Sequence, residues 1–158
     1  MTKHTCCFIG HRDINKTEEL TERLSKIIEN LILKEKVVTF LFGSKSEFNS
    51  LCYDVVSKLK EKHPQIKRVF VRAEYPEIND DYLDYLHRFY EETYYPKTVE
   101  GSGKSAYIKR NCEMIDKSEI CVFYYNDECL PKRRKSGTKI ALDYANRKSK
   151  NIILLTAK

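Results

Sequence analysis

Twice within the first sixty residues a short apolar run stops at a glycine and is followed by an amphipathic helical pattern, and this pairing constrains the fold more than any other feature. Thr5-Cys6-Cys7-Phe8-Ile9 ends at Gly10, and Val37-Val38-Thr39-Phe40-Leu41-Phe42 ends at Gly43. Runs apolar at every position are the mark of strands covered on both faces, as in parallel sheets. Behind the first, Leu20, Leu24, Ile27, Ile28 and Leu31 share one helical face; behind the second, Phe48, Leu51, Cys52, Val55, Val56 and Leu59 do the same. Asn15 with Glu18, and Ser44 with Glu47, have the spacing of capping boxes and predict where these helices begin.

The alternation continues less regularly. Val69-Phe70-Val71 predicts a third strand, after the loop residue Pro64. From about residue 74 to 105 the chain turns polar and tyrosine-rich, with Pro76 and Pro96, and is expected to be an irregular insertion holding one short helix around Asp81 to Tyr90. A helix from about Lys104 to Asp116, a strand over Ile120 to Tyr125, a helix from Thr138 to Lys148 and a last strand over Ile152 to Leu155 follow. Strands alternating with helices require right-handed crossovers. The expected fold is therefore a single α/β domain, a Rossmann-like three-layer sandwich with a mostly parallel sheet of about five strands and helices on both faces.

At 158 residues the chain is long enough to bury a core of its own. No apolar run approaches the roughly 18 residues of a membrane span, and the first residues lack a signal peptide's apolar centre, so a cytoplasmic protein is expected. Six cysteines are present, but Cys6 and Cys7 are adjacent and no C-x-x-C pair occurs, which points to buried reduced thiols rather than disulfides or zinc. Cys129, in a polar loop, is the one expected to react. The net charge of +6 is uneven: Lys132, Arg133, Arg134, Lys135, Lys139, Arg147, Lys148 and Lys150 face a single Asp143, whereas the stretch from Glu74 to Glu92 is acidic. A basic loop is most often a solvated surface, with nucleic-acid contact the less common use.

Ligands of open parallel sheets lie beyond the carboxyl ends of the strands, where the order of the chain reverses. There this sequence puts Gly10-His11-Arg12, Gly43-Ser44-Lys45-Ser46-Glu47 and, after a longer loop, Ser136-Gly137-Thr138. Glycines permit close approach of backbone, helix N-termini suit phosphate, and the forked Arg12 matches phosphate or carboxylate. Tyr107, Arg110 and Asn111 share a helical face that can point into the same cleft. Neither G-x-G-x-x-G nor a Walker motif is present, so ordinary dehydrogenase and P-loop chemistry are not supported.

Gly10-His11-Arg12, Arg110-Asn111 with Met114-Ile115-Asp116, and Ser136-Gly137-Thr138, in this order, resemble the YpsA-type branch of the SLOG superfamily, which also holds the LOG phosphoribohydrolases and the DNA-processing protein DprA. The resemblance runs from about Thr5 to Leu155. It implies a Rossmann-like domain binding nucleotides or relatives such as ADP-ribose and NAD derivatives, with Gly10, Arg12, Gly43, Ser44, Arg110, Asn111, Gly137 and Thr138 lining the pocket. LOG-type enzymes carry a glutamate three residues after the threonine of their glycine-rich motif; here that position is Ala141, and the paired glycines before the motif are absent.

Three functions follow in order. The first is binding or sensing of a nucleotide-derived molecule, with no cofactor required. The second is an N-glycosidic hydrolase in which Glu47 replaces the missing acid, though Glu47 also fits a cap for the helix it opens. The third is a DprA-like single-strand nucleic-acid binder using the Lys132–Lys135 cluster. Asp116 and Glu119 fall at the far end of their strand and are discounted. Homo-oligomers are compatible with this fold, and a tyrosine-rich insertion could supply their interface.

Overall fold

In the computed structural model, described over residues 3–43, 45–125 and 137–156, six strands form one sheet in which every pairing is parallel. The strands are β1 (His4–Gly10), β2 (Val37–Phe42), β3 (Lys67–Val71), β4 (Glu92–Tyr94), β5 (Ile120–Tyr124) and β6 (Asn151–Leu155). The helices are α1 (Glu18–Leu33), α2 (Glu47–Lys62), α3 (Asp80–His87), α4 (Ala106–Lys117) and α5 (Gly137–Arg147). Two short 3-10 turns, Lys97–Val99 and Gly103–Ser105, lead into α4.

Strand order across the sheet is β4-β3-β2-β1-β5-β6. The chain builds outward from β1 in one direction, crosses back through α4, and continues from β5 in the other. The switch point therefore lies between β1 and β5. Alternate residues of the central strands serve opposite faces. Cys6, Phe8, Phe40, Phe42 and Val122 pack with the apolar faces of α1 and α2, while Cys7, Ile9, Leu41, Cys121 and Phe123 pack with Met114 and Ile115 of α4 and Ala141, Leu142 and Ala145 of α5. This is the three-layer sandwich expected, with one strand more.

The added strand is β4. It lies inside the tyrosine-rich stretch expected to be an irregular insertion, and pairs Glu92, Thr93 and Tyr94 with Val69, Phe70 and Val71. With β3 and α3 it makes a third strand–helix–strand unit, and only the stretch after β4, with its two 3-10 turns, keeps the irregular character expected. Three residues at a sheet edge, half-exposed and polar, carry no apolar run, so nothing local announces them. The caps also differ from expectation. Thr17, not Asn15, caps α1 by accepting from the Leu20 amide at 3.1 Å, and Ser46, not Ser44, caps α2 by accepting from the Asn49 amide at 3.1 Å. Each cap lies two residues after the expected one, and its side-chain oxygen accepts from the amide three residues on. No helix among the described residues is long and apolar enough to cross a membrane.

Candidate functional site

A cavity of about 600 Å³ opens at the carboxyl ends of β1, β2 and β3, roofed by α4 and the start of α5. Gly10, His11, Arg12, Gly43, Ser46, Arg110, Asn111, Gly137 and Thr138 all line it. Ser44 and Ser136 lie outside the described residues, as do Cys129 and the Lys132–Lys135 cluster. Glu47 is not on the wall. Its carboxylate accepts from the Ile14 amide at 3.4 Å, and its own amide donates to the Arg12 carbonyl at 2.8 Å. It ties the loop after β1 to the first turn of α2.

That first turn is less available to a ligand than a bare helix N-terminus. The Glu47 amide is engaged by Arg12, and the Asn49 amide by its cap Ser46. Asn49 in turn clamps the two central strand ends: its amide nitrogen donates to the Phe8 carbonyl at 2.9 Å and its amide oxygen accepts from the Gly43 amide at 3.2 Å. The glycines matter here through close approach. A Cβ on Gly10 would lie 2.4 Å from the Phe48 ring, and one on Gly43 would lie 2.7 Å from both Arg110 Cδ and Met114 Sδ. Gly137 has open space where a Cβ would stand, so side-chain crowding does not require glycine there.

Arg12, Lys45, Arg72 and Arg110 bring positive charge to the cavity, and the last two are buried. Arg110, only 4% exposed, reaches from α4 to donate from Nη1 to the Gly43 carbonyl and from Nε to Asn111 Oδ1 at 3.3 Å, and its guanidinium lies over the Tyr107 ring. Arg72, 8% exposed, stands directly after β3 and donates to the Tyr75 carbonyl at 3.2 Å and the Thr93 hydroxyl at 3.0 Å. Neither makes an ion pair with a carboxylate among the described residues. No buried side-chain nitrogen or oxygen there lacks a partner, so the Nη2 atoms of these two cavity-lining arginines, which make no hydrogen bond among the described residues, keep some exposure.

Burial works against both charges. It holds the Arg110 guanidinium well below its usual range, at about 10, with Glu74 pulling the other way, and it lowers Arg72 against an opposing pull from Tyr82. Both remain cations at neutral pH. A buried cation with no carboxylate is costly to the fold, and an anionic ligand relieves that cost.

The remaining walls are aromatic and acidic. Phe70, Tyr75, Tyr82 and Tyr107 face the cavity, and the Tyr107 hydroxyl donates to Glu74. His11 is buried, with its ring 6.1 Å from that of Tyr124 and 5.3 Å from that of Tyr125. Asp116 accepts from the Tyr144 hydroxyl at 2.8 Å and Glu119 from the Thr5 amide at 2.7 Å, both at the opposite end of the sheet. Arg72, Tyr75 and Tyr82 were not singled out from the sequence. Arg72 carries a usable signal, being a cation placed directly after a buried strand.

Fold and cavity together define a Rossmann-like α/β domain with an arginine-lined cleft at the carboxyl ends of strands β1 to β3. No protein-family model matches the chain, and no curated protein matches it.

Proposed function

We propose that this domain binds a nucleotide or nucleotide-derived ligand, of the class of ADP-ribose, NAD derivatives or nucleoside monophosphates, at the carboxyl ends of its parallel strands. The observation that carries the reading is the pair Arg72 and Arg110: two buried guanidiniums that line one cavity, unpaired with any carboxylate among the described residues. Such forks match phosphate oxygens two at a time. Aromatic walls beside them suit a planar ring. The short-motif resemblance to the YpsA-type branch of the SLOG superfamily supports the same ligand class.

Titration calorimetry with ADP-ribose, NAD and AMP tests it. Binding that disappears in Arg110→Met and Arg72→Met supports the reading; no heat at millimolar ligand overturns it.

N-glycosidic hydrolysis is a second reading, favoured by the presence of carboxylates on the wall. These are Asp13 and Glu74 rather than Glu47, which holds the loop after β1. Release of free base from nucleoside monophosphates, lost in Glu74→Gln or Asp13→Asn, would establish it and name its acid.

A further inference from the structure

Beside the cavity lies a second hollow of about 810 Å³, a trough between β3, α2 and α3, and the two share Lys45, Phe70, Tyr75 and Tyr82. One wall is an aromatic row. Tyr75 meets Tyr82 edge to face at 5.9 Å, Tyr82 and Tyr85 lie almost parallel at 6.1 Å, and Tyr85 meets Phe89 at 5.2 Å. Tyr75, Tyr85 and Phe89 are 58%, 49% and 40% exposed. Aromatic surface on that scale, contiguous and rimmed by polar residues, marks a place where something binds.

The row is held rather than loose. Behind it Tyr90 stacks on Phe70 at 5.2 Å, and the Tyr53 hydroxyl donates to the Phe89 carbonyl at 2.6 Å. Arg68 donates to Glu91 through Nε and Nη2, and to Tyr53 and Ser57 through Nη1. At the lip, Tyr75 adopts a φ of 58°, a conformation that a bulky residue rarely takes, with its carbonyl held by Arg72. A platform already ordered loses little freedom when a ring settles on it.

Charge separates the two hollows. The cavity is lined by Arg12, Lys45, Arg72 and Arg110 against Asp13 and Glu74, whereas the trough is lined by Lys45 and Glu77, with Asp80, Asp81 and Asp84 exposed on the neighbouring α3. Phosphates belong in the first. The second favours a neutral or cationic ring and disfavours the repeated phosphates of a nucleic-acid strand.

We propose that cavity and trough form one elongated site, in which the trough takes a second planar ring joined to the first nucleotide through its phosphates. The ligand class is then a dinucleoside polyphosphate rather than a mononucleotide, an inference that rests on the nucleotide reading of the cavity. The cavity alone already falls within the roughly 300–1,000 Å³ of ordinary ligand sites, and the trough adjoins it at the shared residues Lys45, Phe70, Tyr75 and Tyr82 with a comparable space.

The test is calorimetry with ADP, ADP-ribose and diadenosine diphosphate on the wild type, Tyr85→Ala and Phe89→Ala, two residues that line only the trough. Diadenosine diphosphate differs from ADP-ribose chiefly by the second base, and its symmetry removes any question of orientation. It should bind about tenfold more tightly than ADP-ribose, within what one base–aromatic stack supplies. Tyr85→Ala should bring it down to the ADP-ribose value while ADP affinity stays unchanged, which also shows that the variant is folded. Equal affinities for the two ligands in the wild type, or an advantage that survives both substitutions, overturns the second-ring site and leaves the nucleotide reading intact. Failure of all three ligands to bind overturns both. A change in sedimentation of the variants with no change in ligand affinity assigns the trough to a second copy of the chain and overturns the proposal.

Discussion

Arg110 donates to the carbonyl oxygen of Gly43 across 67 residues of sequence, and it does so over a strand end that a side chain would close. The guanidinium that faces the cavity is therefore aimed by the absence of a Cβ on another element. Gly43→Ala would push its methyl against both Arg110 Cδ and Met114 Sδ. We expect a loss of about 1–3 kcal/mol in stability, the range for overpacking a filled site. Anion affinity should fall with it as Arg110 is displaced. Urea denaturation and calorimetry measure the two effects separately.

Tyr75 should matter little to stability. Its left-handed conformation costs a tyrosine about 1–2 kcal/mol, which glycine avoids, while the exposed ring has little packing to lose. Glycine also loosens the unfolded chain, offsetting part of that gain. Tyr75→Gly should stay within about 1 kcal/mol of the parent in denaturant unfolding but bind ligand more weakly, because the lip of the cavity is gone. A loss of stability beyond about 2 kcal/mol would show that the ring is structural.

Glu91 gives a pH dependence with a definite sign. Burial raises its carboxyl, but the hydrogen bonds from Arg68 outweigh this and leave it below the usual carboxylate range. A depressed folded-state value means that the stabilisation is present above the unfolded carboxylate value and is lost as pH falls through the folded one. Glu91→Gln should therefore cost about 1 kcal/mol at neutral pH, a modest figure because the pair is partly exposed. The difference should close as pH falls below the ordinary carboxylate range and through the depressed folded-state value. Unfolding midpoints measured across that range check it; a constant difference would remove charge from the explanation.

Burial pushes the Cys6, Cys7 and Cys52 thiols up, with neighbouring cysteines adding to the effect, and so suppresses the thiolate that reacts with disulfide reagents. In a Cys129→Ser background these three should stay unmodified by an aromatic disulfide reagent in the native protein at mildly alkaline pH, and should titrate fully once denaturant is added. Reaction of any of them in the native state at a rate independent of unfolding would contradict the packing of the central strands.

The helices, the two central strands and their partition into layers were legible because their signals are local. A strand covered on both faces must be apolar at each position, as β1, β2 and β5 are, and an apolar stripe of helical period must face a sheet. Glycine at the ends of β1 and β2 was legible for the same reason, since Phe48 and Arg110 need the room. The cap positions were missed because several hydroxyls and amides precede each helix, and only backbone geometry selects Thr17 and Ser46. The strand β4 was missed because an edge strand of three polar residues owes its existence to the partner it pairs with.

By itself, then, the order of residues determined the α/β class, the layers and the loops at the strand ends, because hydrophobic periodicity acts over a few turns of chain. Strand order decided the rest. It brings Arg72, directly after β3, to the same cavity as Arg110 of α4 and Gly43 after β2, and sets the tyrosines of α3 beside them. Those residues are far apart along the chain and share no pattern. What joins them is the packing of six strands into one sheet, where the preference of each side chain depends on neighbours that only the folded state supplies.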